Sequence, residues 1–141
     1  MRFEVTLKKD GLFWLGEVRA LDILTQGHTK KECLKMVLDV LKSYINDESF
    51  SAQIVTSKYK TLNLGYLLQS DNQDLLISLL LKRQRQKHGL TLQDMASRLG
   101  SSSINSFARY EQGKASPTLK KLEQLMTAIS PDLEPILRIQ D

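Results

Sequence analysis

The 141-residue chain has one cysteine, Cys33, two histidines and three prolines. A single cysteine excludes an intramolecular disulfide, and with His28 and His88 far apart in sequence no zinc-ligand spacing is left. Cys33 reads as a small buried apolar residue rather than a nucleophile. No apolar run is long enough to span a bilayer, and Met1 to Glu4 leads straight into alternating sequence without the apolar stretch of a signal peptide. A cytoplasmic location with no membrane partner is therefore expected, and no cofactor or metal. Internal repeats and low-complexity tracts are also lacking. Hydrophobic and charged fractions of 41% and 26% suit a folded globular chain.

What is present is unevenly distributed charge. From Lys82 to Lys121 the chain carries Lys82, Arg83, Arg85, Lys87, Arg98, Arg109, Lys114, Lys120 and Lys121 against only Asp94 and Glu111. This surplus exceeds the net charge of +4, so the remainder is net acidic. A basic segment of this kind suits a polyanion, because neutralising phosphates releases counterions and steers association. A solvated basic face gives the same count, so charge alone does not decide.

Phe3, Val5 and Leu7 alternate with polar neighbours as in a half-buried strand, Asp10-Gly11 supplies a turn, and Leu12 to Val18 returns. A third short strand is expected around Asp22 to Thr25. Thr29 and Glu32 have capping-box spacing, and Leu34, Val37, Leu38, Leu41 and Ile45 then define one face of a helix that ends at Asn46-Asp47. Alternation resumes at Phe50, Ala52, Ile54 and Thr56. The expected fold class of residues 1–57 is thus α+β, in β-β-β-α-β order. Residues 58–70 read as a linker or an extra strand, and 71–141 as an all-α second domain. The two halves are expected to be separable by cleavage between Lys58 and Ser70.

In that second half, Asp71 is positioned to cap a helix running to His88 and ended by Gly89. Thr91 and Asp94 form a capping box for a second helix that stops at Gly100. Ser101-Ser102-Ser103 is a short polar turn, Ile104 to Gln112 a third helix, and Ser116-Pro117 the start of a fourth that runs to Pro131. Leu90 to Ala96, Leu99-Gly100, Phe107 to Gly113, Pro117-Thr118 and Leu122 together resemble the phage-repressor-like (Xre-type) helix-turn-helix. The turn after Gly100 is one residue longer than that family's usual spacing. The resemblance implies structural roles for Ala96, Glu111 and Gly113, and a third helix that enters the major groove of double-stranded DNA.

A recognition helix needs polar or basic side chains at its head, where base edges are closest. Ser103, Asn105, Ser106 and Arg109 meet that demand, with Asn105 suited to adenine and Arg109 to guanine. Arg98, Ser101, Ser102 and Lys114 are placed to touch phosphates, which position the protein without specifying sequence.

In the first half, Thr25-Gln26-Gly27-His28-Thr29 and Glu32, following a strand hairpin and preceding an amphipathic helix, resemble HicB-type antitoxins. The family's usual proline-glycine is replaced by Asp22-Ile23, and Cys33 stands where the family prefers alanine. The resemblance implies a truncated ribonuclease-H-like sheet without nuclease activity, which covers a HicA-type mRNA-cleaving toxin. It also implies a type II toxin-antitoxin system in which the C-terminal domain represses transcription of its own operon. The chain would then not be an enzyme. A second reading keeps the repressor but has the N-terminal domain sense a ligand or drive oligomerisation. A third makes Asp10, Glu17 and Asp22 metal ligands of a nuclease, although Asp10 is better explained by its turn.

Helix-turn-helix proteins usually read paired half-sites as symmetric dimers. Ile77 and Leu81, off the main stripe of their helix, and the C-terminal Ile136, Leu137 and Ile139 are the expected interface of a homodimer or higher homo-oligomer. On that reading Leu81→Glu gives a folded monomer.

Overall fold

The computed structural model describes residues 1–57 and 65–136. Strands β1 (Phe3–Asp10) and β2 (Phe13–Val18) form the expected hairpin, with Asp10 opposite Phe13 and Thr6 opposite Glu17. A 3-10 turn at Arg19–Leu21 leads into β3 (Ile23–Gly27), antiparallel to β2. Helix α1 (Lys30–Ile45) and strand β4 (Ala52–Thr56) follow in the expected order. A fifth strand, β5 (Tyr66–Ser70), pairs antiparallel with both β1 and β4, giving the order β3-β2-β1-β5-β4. Of the stretch expected to be a linker or an extra strand, residues 66–70 are that strand and residues 58–64 lie outside the described ones. Because β5 is interior, a fragment ending at residue 57 leaves β4 without its strand partner among the described residues.

Helix α1 lies against β2, β3 and β4. Thr29 Oγ1 accepts from Glu32 N at 3.1 Å, while the Glu32 carboxylate reaches back to His28 N at 2.8 Å, one residue upstream of the capping-box donor. The buried stripe is Cys33, Val37 and Leu41, with Leu34, Leu38 and Ile45 half-buried beside it. The stripe sits deep because β2 and β3 offer glycines beneath it. A Cβ on Gly27 would lie 2.6 Å from the Cys33 backbone nitrogen, and one on Gly16 would lie 2.8 Å from Cys33 Sγ. Backbone cannot rotate away as a thiol can. Gly27→Ala is therefore expected to lift the start of α1 and cost about 2–3 kcal/mol, with Gly16→Ala costing less. Urea denaturation of both variants checks this, and equal midpoints would contradict it. The Cys33 thiol donates to Trp14 O at 3.2 Å, and burial, followed by the nearby Glu32 charge, pushes its pKa up. It packs, as expected, and is held away from the reactive thiolate form.

The second half comprises α2 (Gln73–Lys87), α3 (Leu92–Arg98), α4 (Asn105–Glu111) and α5 (Leu119–Ile129). Two expected caps move. Asn72 rather than Asp71 caps α2, its Oδ1 accepting from Leu75 N at 3.2 Å. Thr118 rather than Ser116 caps α5, while Ser116 Oγ donates to Asp74 Oδ1 at 2.5 Å. Helix α2 joins the halves: it contacts the 3-10 turn, β5 and α1 as well as α4 and α5. Leu76, Leu79, Leu80 and Leu81 are all buried, and one hydrophobic core runs from Phe3 to Ile129.

The seam also has polar ties. The buried Gln84 amide donates to Ala20 O at 2.7 Å. Arg83 donates to Asp22 O and Oδ2 at 3.1 and 3.0 Å, and its guanidinium lies 4.5 Å from the Tyr44 ring centre. Helical spacing puts Ile77 and Leu81 between this face and the face bearing Ser78 and Arg85. Leu81 is fully buried and Ile77 half-buried. The expected dimer role of Leu81 is thereby corrected: its side chain is buried in the chain's own shared core. Ile136 is 75% exposed, and Leu137 and Ile139 lie outside the described residues.

Candidate nucleic-acid interface

Helices α2, α3 and α4 all end in the same way. Each stops at a residue followed by glycine, Gly89, Gly100 and Gly113, and the amide after that glycine returns to a carbonyl five residues back: Leu90 to Arg85 O, Ser101 to Ala96 O, Lys114 to Arg109 O. This double-bonded ending satisfies carbonyls that would otherwise be orphaned. At Gly113 the backbone has φ 68°, which a side chain resists. The three sharp stops fix where each helix hands over to the next. At the other end of α3, Thr91 and Asp94 form the full capping box. Its bonds from Thr91 N and Oγ1 hold the Asp94 carboxyl below the usual carboxylate range.

The turn between α3 and α4 is tied by its own serines. Ser101 Oγ accepts from Ser103 N at 3.2 Å and lies 3.0 Å from Ser106 Oγ, whose hydroxyl donates to Ser103 O at 2.9 Å. Ser103 Oγ accepts from Asn105 N at 3.2 Å. Ser101, Ser103 and Ser106 are thus committed first to holding the head of α4, and Ser102 is exposed without such a bond. One turn apart on α4, Asn105 and Arg109 share an exposed face, and neither side chain has a partner among the described residues. Phe107 and Ala108 on the opposite side are buried.

What holds α4 against the body is an ion pair. Arg85 on α2 grips Glu111 with two bonds, Nε to Oε1 at 2.6 Å and Nη2 to Oε2 at 3.1 Å, while its Nη1 donates to Leu90 O at 2.6 Å. The two side chains are only 12% and 8% exposed. The structural role expected of Glu111 is therefore given a partner that sequence reasoning assigned to the basic face. Arg85 carried no local signal, since the pair spans two helices far apart in sequence.

Several other cations of that segment are also bonded within the chain. Arg83 and Lys87 pair with Asp22, the latter at 3.7 Å. Arg98, expected at a phosphate, is exposed and donates from Nη1 to Ala128 O and Ile129 O at 3.0 and 2.9 Å, closing the C-terminal end of α5 where a cation complements the helix dipole. That leaves Lys82, Arg98, Arg109, Lys114, Lys120 and Lys121 as the segment's cations without an acidic partner among the described residues.

The acidic residues weighed as metal ligands do not converge: Asp22 faces Arg83 and Lys87, and Glu17 pairs with Arg19 at 3.5 Å. Among the described residues no group of three histidine, cysteine or acidic side chains is gathered to hold a metal ion. Nor is any described helix long and apolar enough to cross a membrane.

Residues 77–132 match a protein-family model described as a helix-turn-helix domain. The match takes in α3, the serine turn, α4 and α5 entire, and begins within α2. No curated protein sequence matches the chain.

Proposed function

We propose that this chain, a DNA-binding regulator by its helix-turn-helix, is the antitoxin of a type II toxin-antitoxin system that represses its own operon. The observation carrying the DNA-binding part is the exposed, unpartnered Asn105 and Arg109 on one face of α4, clamped to the body through Arg85 and Glu111. Asn105 and Arg109 read base edges, while Ser102 and Lys114 meet phosphates. The antitoxin part is supported by the resemblance of Thr25 to Glu32 to HicB-type antitoxins, with the truncated ribonuclease-H-like ancestry this implies. The N-terminal sheet covers a HicA-type toxin, and the partner, not this chain, is the enzyme. A homodimer spaces two α4 helices about 34–36 Å apart on a palindromic operator. With Leu81 buried, its interface falls to the C-terminal segment containing Ile136.

Arg109→Ala and Asn105→Ala are each expected to weaken operator binding by about 1–3 kcal/mol and to relax the choice of base at one position. Lys114→Ala is expected to weaken all duplexes alike and to flatten the salt dependence. Fluorescence anisotropy on operator and scrambled duplexes checks both, and unchanged affinity for both base-reading variants would count against α4. The antitoxin role is tested by co-expressing the chain with the product of its neighbouring gene. A stable complex with RNA cleavage suppressed is expected. No complex, with DNA binding intact, would leave a repressor without a toxin.

A further inference from the structure

Ile104 stands at the head of α4 with 43% of its surface exposed. Its backbone is already helical, at φ −62° and ψ −26°. The work of starting the helix falls one residue earlier, where Ser103 O accepts from Ser106 N at 3.3 Å and Ser103 Oγ accepts from Asn105 N. Ile104 therefore supplies no cap. It does not join the hydrophobic core either, which from this helix takes Phe107 and, at its edge, Tyr110. A β-branched side chain adds little helix propensity at this position. Its sequence neighbours Ser102, Ser103, Asn105 and Ser106 are all polar. An exposed hydrocarbon is thus held at the reading end of the helix by a turn that does not need it.

The major groove offers such a side chain one apolar partner, the 5-methyl group of thymine, since the other groups on the base edges are hydrogen-bond donors and acceptors. We infer that Ile104 reads a thymine methyl, selecting T at one position in each half-site beside the base read by Asn105. This rests on the reading of α4 as the recognition helix, and nothing about toxin binding enters it.

The test uses the full chain. A preferred duplex is first selected from a randomised pool, and its thymines are then replaced one at a time by deoxyuridine, which removes only the methyl group. Wild type is expected to lose about four-fold in affinity at one thymine per half-site, the worth of one buried methyl-sized group. Ile104→Ala should bind the thymine and uridine duplexes equally, and Ile104→Val should keep part of the discrimination. Because the side chain is outside the core, both variants should unfold at the wild-type midpoint. Tight binding of the selected duplex with indifference to every replacement would overturn the inference and leave DNA reading by α4 intact. Discrimination that persists undiminished in Ile104→Ala would overturn it too. Failure to select any duplex would instead remove the reading of α4 on which it stands.

Discussion

Leu81→Glu unfolds the whole chain instead of splitting a dimer. Leu81 is fully buried on α2, the helix that contacts both the N-terminal half and the helix-turn-helix. The substitution forfeits about 1.5–3 kcal/mol of apolar burial and places a carboxylate at a fully buried position. On α2, Arg83 and Arg85 are already held by Asp22 and Glu111, and Lys82 is on the exposed side. A lone buried charge adds several kcal/mol more, so a total of about 5 kcal/mol or above is expected, enough to exhaust a marginal domain. Circular dichroism and tryptophan fluorescence should lose structure together, because Trp14 reports on the sheet while most of the helix lies in the other half. A folded, monomeric variant by light scattering would restore Leu81 to an intermolecular surface. A shared core also predicts that residues 71–141 expressed alone expose the leucines of α2 and aggregate.

Glu111→Ala is the second severe change. It leaves the Arg85 guanidinium, 12% exposed, with a single carbonyl partner at Leu90. Breaking one side of a buried pair costs about 3–5 kcal/mol, far more than the pair contributes against an apolar replacement of both. Arg85→Met should therefore recover much of the loss when combined with Glu111→Ala, giving strong non-additivity in a double-mutant cycle. The same single variant should lose DNA affinity without any contact to DNA, because α4 is no longer fixed to α2. A cost below about 1 kcal/mol would mean that the pair is solvated as surface pairs are.

The features legible in the sequence are those made by residues close together along it. The Asp10-Gly11 hairpin, the Thr29 and Thr91 caps and the glycine endings of α2, α3 and α4 all depend on bonds spanning five residues or fewer, so spacing alone determines them. The misplaced caps, Asp71 for Asn72 and Ser116 for Thr118, show the limit of that logic, because capping residues one or two positions apart differ mainly in which one the helix start reaches.

The middle position of β5 was not legible. Leu67 and Leu68 are both buried, which breaks the alternation that marks a strand, and the pairing with β1 spans most of the N-terminal half. The basic segment misled for a similar reason. Arg83, Arg85 and Arg98 add equally to the basic count of a composition, yet each is bonded to a group 26 to 62 residues away. By itself the sequence determined the local elements, the helix-turn-helix and the face of α4 that carries Asn105 and Arg109. Only the tertiary structure decided that α2 belongs to both halves, burying Leu81 and pairing Arg85 with Glu111. A helix apolar on two faces names two surfaces to be covered, and what covers each depends on chain packing that no local spacing encodes.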